Sequence, residues 1–298
     1  MQANYKLHRL AYLRPVEITT VVYWLLLSLL IVFSHRNLPQ WRLYVLLHIS
    51  GALAAVCLAK FTHRSGKKWV MYLRDWYLAF LFIPMFEEMD LLVPALFPGW
   101  VNQTLISADY LIFGTHPSVW LERMANPWLT EYLMFCFSTV YFIPYLFGAI
   151  VYFKSGRERY QDLLLSIALG FYICYIIFLL FPAQGPWVTL KHLYTVSLNG
   201  WIFTRLVNII EAAGSVRGAA FPSSHVMISF VVLLFARRYS RTAYIIFLPI
   251  ILGLFFATIY CRFHYVVDVM GGLVVGGISF WLAPKLNRGW KLVVQGLG

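Results

Sequence analysis

The chain has 298 residues, of which 61% are hydrophobic and 12% are charged, and its formal net charge is +12. No water-soluble domain of this length needs so many apolar side chains, so the composition excludes a soluble protein. It predicts an all-α polytopic membrane protein, in which helices satisfy the backbone polar groups. The four cysteines are scattered without metal-ligand spacing, which is typical of small buried residues.

Eight apolar runs follow one another along the chain, and several of them approach the ~20 residues that a helix needs to cross a bilayer. They are residues 18–33, 43–59, 76–97, 129–153, 162–182, 224–236, 243–260 and 265–283. The basic segment 1–15 resembles a signal peptide, but no small-residue cleavage site follows it, so we expect a retained first span. The runs predict an N-terminal two-span region with its loop (1–74), a membrane core (75–283) and a tail (284–298).

Basic residues occupy every second loop between these runs. They are Lys6, Arg9 and Arg14; Lys60, Arg64, Lys67, Lys68 and Arg74; Lys154, Arg157 and Arg159; Arg237, Arg238 and Arg241; and Lys285, Arg288 and Lys291. By the positive-inside rule, this pattern places both termini in the cytoplasm and segments 98–126, 182–220 and 261–264 on the outer (periplasmic, extracellular or luminal) face. The charge therefore sets topology and contacts anionic lipid headgroups, and we expect no nucleic-acid partner.

The third run contains three carboxylates, Glu87, Glu88 and Asp90. Carboxylates inside a membrane are costly and tend to be functional. Glu87 and Asp90 are three residues apart and share a helix face, where they would be counter-ions to arginines or acceptors for substrate hydroxyls. In the alternative interpretation, the helix ends near Phe86 and the acids are interfacial.

The outer segments contain short amphipathic pieces. Residues 108–114 and 119–123 predict helices that lie in the membrane interface, where Trp and Tyr are favoured. Residues 200–213 predict a longer amphipathic helix, and residues 214–218 interrupt the chain after it.

Two polar clusters each precede an apolar helix on the predicted outer face: residues 221–225, Phe-Pro-Ser-Ser-His, and residues 261–268. His264 and Asp268 in the second cluster are four residues apart and would share one face of a helix. The carboxylate can then bind one imidazole nitrogen and leave the other as a free lone pair. A histidine oriented in this way is a nucleophile, so the pattern predicts covalent chemistry on a phosphate.

The first cluster opens a helix whose free N–H groups and positive dipole end suit phosphate oxygens. Ser223 is placed to cap this helix, and His225 is placed to act as general acid for the leaving group. Arg217 and Arg262 lie close in sequence to the two histidines, and guanidinium groups clamp phosphoryl oxygens.

Each of these residues also has a plain structural interpretation. A histidine at a membrane boundary is commonly interfacial, a serine before a helix commonly only caps it, and His264 with Asp268 would form an ion pair. Two histidines and an aspartate also resemble a zinc or iron ligand set. The neighbouring arginines disfavour a metal, because cations repel it and attract phosphate.

The sequence Phe-Pro-Ser-Ser-His at 221–225 followed by His264-x-x-x-Asp268 resembles the last two motifs of the type 2 phosphatidic acid phosphatase (PAP2) superfamily. The resemblance covers roughly residues 75–283. It implies a PAP2-like helical core and a phosphohistidine mechanism that needs no metal or cofactor. It also implies His264 as nucleophile, Asp268 as its partner and His225 as acid and base, while Ser223 and Ser224 match the phosphate-binding turn.

The sequence departs from the superfamily pattern in two places. Ala257 and Thr258 stand where the third motif usually has Ser-Arg. The first motif, Lys-x6-Arg-Pro, is missing from the second outer loop. Lys6 with Arg14-Pro15 mimics it, but the spacing is one residue too long and the segment is predicted to be cytoplasmic.

Both departures fit the inositol phosphorylceramide synthase (aureobasidin-resistance) branch, which residues 109–114, 181–187, 219–223 and 264–268 also resemble. On this resemblance, substrate binding is assigned to residues of these segments, and other basic residues replace the missing phosphate clamp. The substrate-binding residues are Gln184, Trp187 and Asp109, and the replacements are Arg217, Arg262 and Lys191.

The resemblance implies a membrane enzyme that acts on a lipid phosphate or a phospholipid headgroup. The branch favours transfer of the phospho-headgroup to an alcohol acceptor, which is inositol, a sugar or a lipid hydroxyl. Water as acceptor would make the enzyme a hydrolytic phosphatase for phosphatidate or polyprenyl phosphate, because the same residues serve both reactions. The remaining alternative is a non-catalytic lipid-binding or transport protein, which would favour broken helices in repeated halves.

Overall fold

The computed structural model describes residues 12–295, so the expectations for Lys6 and Arg9 lie outside the described residues. Within that range there is no β-strand, only an isolated parallel bridge between Ala183 and Ala219. The all-α fold class predicted from composition is confirmed.

Fourteen α-helices follow one another along the described chain. They are α1 (Pro15–Phe33), α2 (Trp41–Ser65), α3 (Lys68–Glu87), α4 (Met89–Leu96), α5 (Asn102–Phe113), α6 (Pro117–Trp120), α7 (Pro127–Ser138), α8 (Ile143–Ile150), α9 (Arg157–Leu180), α10 (Pro186–Thr189), α11 (Ile202–Gly214), α12 (Ser224–Tyr239), α13 (Arg241–Tyr260) and α14 (Val266–Gln295). They are connected or extended by 3-10 turns and a π segment, at His35–Asn37, Leu121–Met124, Thr139–Tyr141, Lys191–Leu193 and Val151–Ser155.

Five of these helices, α1, α2, α9, α13 and α14, are long and apolar enough to cross a membrane. A sixth span results if residues 127–141 and 143–155, which meet at a bend of 51°, count as one broken span. A multi-pass membrane protein is supported, whereas the expected number of eight spans is not confirmed within residues 12–295. The reason is that Arg74 and Asp75 lower the hydropathy of α3, and α12 has only 16 residues.

The third predicted span is divided into two helices. Glu88 lies between α3 and α4, so residues 76–97 do not form one continuous helix. Each of the two helices contains an internal proline, which removes a backbone hydrogen bond. A carboxylate oxygen of Glu88 lies 2.9 Å from Nε2 of His48 on α2. Glu87 and Asp90, in contrast, line a cavity, and Glu88 does not.

Helix α9 is the centre of the bundle. The buried share of its apolar stretch is 67%, whereas that of α2 is 22%. Helix α9 packs against α1, α12 and α14. Helices α12 and α14 also approach each other closely at Gly272 on α14, where a Cβ would lie 2.5 Å from the carbonyl oxygen of Ser223. Glycine permits this approach of two backbones. The N-terminus of α12 therefore lies directly against the beginning of α14.

Buried ion pairs close one end of the bundle, which we call the inner end. Nε of Arg74 lies 2.6 Å from Glu17, and Asp75 binds both Arg14 and Arg157, each at 2.6 Å. Both carboxylates are at most 1% exposed. Buried charges are tolerated when they are paired, so these contacts fix α1, α3 and α9 to one another.

The opposite end, which we call the outer end, carries the segments between α4 and α7 and between α9 and α12. Helices α5, α6 and α11 occur where the sequence predicts amphipathic pieces, although α5 begins earlier than expected. Leu111 and Ile112 on α5 are 83% and 55% exposed. This apolar face fits the predicted position at the membrane interface, and the side of the membrane on which the outer end lies stays a prediction.

Candidate active site

His264 lies in the corner between α13 and α14. Its N–H donates to the carbonyl of Thr258 at 2.9 Å, and its Nδ1 lies 3.3 Å from Oδ2 of Asp268. The sequence argument placed both residues on one helix, but α14 begins only at Val266. The carboxylate instead turns back over the corner, where it also accepts the N–H of Tyr265 at 2.8 Å. The expected contact is present, and a carboxylate in the first turn of α14 makes it.

The environment of His264 suits a nucleophile. Its side chain is largely buried, and Asp268 is fully buried. Because Asp268 contacts Nδ1, Nε2 is the nitrogen left for a substrate. Burial lowers the pKa of His264 to about 4, so the imidazole is neutral near pH 7 and Nε2 can carry a free lone pair.

His225 faces His264 from the second residue of α12. The centroids of the two rings are 6.0 Å apart. The ring of His225 packs against Phe137, with centroids 5.0 Å apart, and beside Tyr141 at 6.3 Å. Its Nδ1 is buried and has no hydrogen-bond partner in the part of the chain that the structure describes. Aromatic packing therefore holds this ring, which also lines the cavity described below.

Ser223 connects the two polar clusters. Its Oγ accepts the N–H of Val226 at 3.3 Å and caps α12, as predicted. Its own N–H donates to the main-chain carbonyl of Asp268 at 3.0 Å. Ser223 is thus part of the framework, whereas Ser224 lines the cavity beside the histidines. The N–H groups of Ser224 and His225 have no intrahelical acceptor, and they are suited to bind phosphate oxygens.

Asp109 reaches the site from α5 as a cap for α14. Its carboxylate accepts the N–H groups of Val266 and Val267, each at 3.0 Å, and the residue is 2% exposed. Burial raises the pKa of this carboxyl. Asp109 therefore positions the helix that follows His264, and the structure does not place it on the cavity wall.

A cavity of about 980 Å³ opens beside the two histidines. Most of the residues predicted from sequence line it, namely Glu87, Asp90, Gln184, Trp187, Arg217, Ser224, His225 and His264. The others are not part of its lining, namely Asp109, Lys191, Ser223, Arg262 and Asp268. The two polar clusters and the break between α3 and α4 therefore meet at one place.

Arg262, which was expected to clamp phosphate, points away from this cavity. Its Nη2 donates to Glu122 at 2.6 Å and to the carbonyl of Val196 at 2.5 Å, and its guanidinium lies 4.0 Å from the ring centroid of Tyr194. Its carbonyl accepts the N–H of Trp187 at 2.9 Å. Arg262 thus ties the corner before His264 to the outer loops, and it is not part of the cavity wall.

Arg217 is the basic residue of the predicted clamp that reaches the cavity. Its guanidinium lies 3.1 Å from Asp90, and its side chain is 64% exposed. This pair supports the counter-ion interpretation of Asp90. Lys191 is exposed in a 3-10 turn, and the side-chain amide of Gln184 accepts from Asn102 at 3.1 Å.

Sequence reasoning missed Glu211 and Tyr141, which both line the cavity. The hydroxyl of Tyr141 donates to Glu211 at 3.4 Å. Burial raises the pKa of Glu211 to about 7. The available signal was a lone acid in the amphipathic helix predicted at 200–213, where an acid is ordinarily assigned to the solvated face.

A metal centre would need further donors. Within residues 12–295, no group of three or more His, Cys, Asp or Glu side chains is arranged to hold a metal ion. The zinc or iron alternative raised by the two histidines and Asp268 therefore has no donor set among the described residues.

Comparisons with known proteins agree with the motifs. The family model described as PAP2 superfamily matches residues 103–282. A curated relative, phosphoinositol dihydroceramide synthase from Bacteroides thetaiotaomicron, is 26% identical over 174 residues. The match covers 50% of this chain and 54% of the relative, so the chain spans about half the length of that protein. No solved structure matches. The resemblance to the superfamily is confirmed, and the name of the relative agrees with the resemblance to the inositol phosphorylceramide synthase branch.

Proposed function

The chain belongs to the PAP2 superfamily, and on that premise we propose that it transfers the phospho-headgroup of a phospholipid to an alcohol acceptor through an intermediate on His264. Lipid phosphatase or phosphotransferase activity follows from the family. The observation that carries the finer proposal is the arrangement of His264, Asp268 and His225 at the wall of one cavity.

In the first step, Nε2 of His264 attacks the phosphorus and forms an N–P bond, while the bond between phosphorus and the lipid oxygen breaks. His225 gives its proton to that oxygen, which leaves as an alcohol. An anionic phosphate between the two rings favours the protonated form of His225. The N–H groups at the start of α12 and the guanidinium of Arg217 hold the phosphoryl oxygens.

In the second step, the hydroxyl of the acceptor attacks the phosphorus and the N–P bond breaks. His225 accepts the proton of that hydroxyl and returns to its starting state. Asp268 keeps Nδ1 of His264 as the proton-bearing nitrogen and stabilises the positive charge that builds on the ring. Only the acceptor decides whether the product is a new phospholipid or a free phosphate compound.

The acceptor is the finer part of this proposal. The name of the Bacteroides relative points to phosphoinositol as the transferred group and dihydroceramide as the acceptor, so we propose this pair as the first to test. Hydrolysis is the second candidate, because Arg217 is 64% exposed at the cavity and water can reach the site. Both use the same histidines.

The test uses purified full-length protein in detergent with EDTA, phosphatidylinositol as donor and dihydroceramide as acceptor. We expect phosphoinositol dihydroceramide to form and His264→Ala to abolish it, whereas His192→Ala, which removes an exposed histidine from the second outer loop, keeps it. Release of free inositol phosphate without the transfer product would favour hydrolysis. Turnover that survives in His264→Ala would refute the histidine mechanism, and lipid binding without any turnover would favour the binding or transport alternative.

A further inference from the structure

The cavity continues past the two histidines as a deep apolar shaft. We use this name for its part lined by Trp76, Phe82, Gly148, Tyr160, Leu164 and Phe171. These residues belong to α3, α8 and α9. No step proposed for the histidines uses this space, because phosphoryl transfer takes place at the outer end of the bundle.

The shaft is deeper than one leaflet of a bilayer is thick. Along α9 the cavity wall extends from Tyr175 to Tyr160, which corresponds to roughly 22 Å at about 1.5 Å per residue. The hydrocarbon core of a bilayer is about 30 Å thick, so each leaflet contributes about 15 Å. A hydrocarbon chain attached to a headgroup at the histidines could therefore extend down the shaft.

Three tyrosines of the cavity wall have their hydroxyl groups bound within the protein. The hydroxyls of Tyr145, Tyr160 and Tyr175 donate to main-chain carbonyls of α3, at 3.1, 3.2 and 3.0 Å. Each of these hydroxyl groups has an acceptor within the protein, so these tyrosines need no water or polar ligand in the shaft. The chemistry of the shaft suits an alkyl chain.

Gly148 marks the inner limit of the shaft. A Cβ at this position would lie 3.4 Å from the ring of Tyr160 and 3.6 Å from that of Trp76. The two rings pack with centroids 4.9 Å apart, and the hydroxyl of Tyr160 is held by the carbonyl of Asp75, whose side chain belongs to the buried ion pairs of the inner end. Aromatic rings and fixed charges thus close the shaft below Gly148.

The cavity also reaches exposed apolar side chains that we expect to face lipid. Ile83 on α3 and Ile209 on α11 both line it and are 54% and 68% exposed. Apolar side chains at such an opening are compatible with acyl chains, so a lipid can enter from the side without leaving the bilayer.

We propose that the shaft binds one hydrocarbon chain of the lipid substrate, with the headgroup at His225 and His264, and that Gly148, Trp76 and Tyr160 set the longest chain accepted. The inference rests on the proposed function for its headgroup end only. A larger side chain at Gly148 shortens the shaft, and each methylene group that loses its place in an apolar site weakens binding about fourfold.

The first experiment compares donors with palmitoyl and hexanoyl chains in the wild type, Gly148→Leu and Gly277→Leu. Gly277 lies on α14 outside the cavity, and its Cβ would meet only Phe230, at 4.0 Å. We expect Gly148→Leu to lower kcat/KM for the palmitoyl donor about tenfold or more relative to the hexanoyl donor, while Gly277→Leu keeps the wild-type ratio. An unchanged ratio in a folded and active Gly148→Leu enzyme would overturn the inference.

The second experiment does not depend on turnover. A phospholipid with a diazirine at the end of one chain is photolysed with wild-type protein in lipid nanodiscs, and the adducts are mapped by mass spectrometry. We expect adducts on peptides that contain Trp76, Gly148 or Tyr160. Adducts confined to outward side chains such as Phe153, which is 72% exposed, would overturn the inference. Absence of turnover with any donor would instead count against the proposed function alone.

Discussion

The main-chain N–H of Ser223 donates to the carbonyl of Asp268 at 3.0 Å. This bond joins the helix that carries His225 to the first turn of the helix that follows His264. The spacing of the two histidines is therefore set by two backbones in contact, and Gly272 is the residue that permits the contact. Catalytic side chains on such a support need little reorganisation when the substrate arrives.

The contact at Gly272 gives the first prediction. In Gly272→Ala the new Cβ would lie 2.5 Å from the carbonyl oxygen of Ser223, so α12 and α14 must move apart. We expect a loss of about 1–3 kcal/mol in the free energy of unfolding and a larger loss of kcat than this explains. Gly277→Ala is the control, because its Cβ meets nothing closer than 4.0 Å. Wild-type kcat in Gly272→Ala would show that the helix spacing does not control the site.

Asp268→Asn tests the orientation of His264. The amide has nearly the shape of the carboxylate but lacks its charge, so it neither stabilises a cationic ring nor fixes the tautomer in the same way. We expect kcat to fall by about 10²–10⁴-fold with a small change in KM, as measured by product formation over time. Asp162→Asn, which changes a carboxylate that pairs with Asn287, is the control. A variant affected only in thermal stability would assign Asp268 to folding.

Asp109→Ala leaves two main-chain N–H groups of α14 without an acceptor. Loss of a helix cap costs about 0.5–2 kcal/mol, so we expect a lower midpoint of thermal unfolding and a lower kcat. Asp109→Asn keeps one acceptor oxygen and is expected to have an intermediate effect on both. If Asp109 contacted the substrate instead, KM would rise while the unfolding midpoint stayed at the wild-type value.

Arg262 has a φ of 70°, a left-handed conformation that favours glycine. Arg262→Gly and Arg262→Ala lose the same contacts with Glu122 and Tyr194, so their difference isolates the backbone. We expect the glycine variant to be more stable by about 1 kcal/mol in denaturant unfolding. Glu122→Gln should reproduce the activity defect of the glycine variant in part, because both weaken the same tie. A defect unique to the Arg262 variants would restore Arg262 as a phosphate ligand.

Glu211 predicts a pH dependence. Burial holds its pKa near 7, above that of an exposed carboxyl, so the folded state favours the protonated form and loses stability as the pH rises through 7. Deprotonated Glu211 then adds a negative charge to the cavity, which Glu87 on α3 also lines. Tyr141 donates its hydroxyl hydrogen to Glu211. We expect KM for an anionic donor to rise above pH 7 and Glu211→Gln to remove this rise. Superimposable profiles of the two enzymes would show that Glu211 does not sense the phosphate.

The sequence predicts the family of this protein better than the geometry of its spans. Apolar runs locate most helices, but a continuous apolar run does not show where the chain changes direction. Residues 76–97 contain such a change at Glu88, and residues 129–153 contain another, where two pieces meet at 51°. Pro84 and Pro94 flank the first of these breaks, and Glu88 at the break contacts His48, which lies 40 residues earlier in the chain.

Site residues that act through local backbone were predictable, and those that depend on distant partners were not. Ser223, His225, His264 and Asp268 occupy two short segments that carry their own helix starts. Arg262 was expected at the phosphate because it is close to His264 in sequence, but its direction is set by Glu122, 140 residues earlier. The direction of a long side chain depends on its tertiary partners, which no local pattern contains.

The cap that Asp109 provides has a consequence for handling the protein. This carboxylate comes from α5, whose outward face is apolar. We therefore expect lipid at that face to support the backbone just after His264 as well. A detergent that replaces this lipid poorly would loosen the corner and stop catalysis, while the rest of the bundle stays folded and helical in circular dichroism. Inactive preparations of normal helicity should therefore regain activity on reconstitution into bilayers, without refolding.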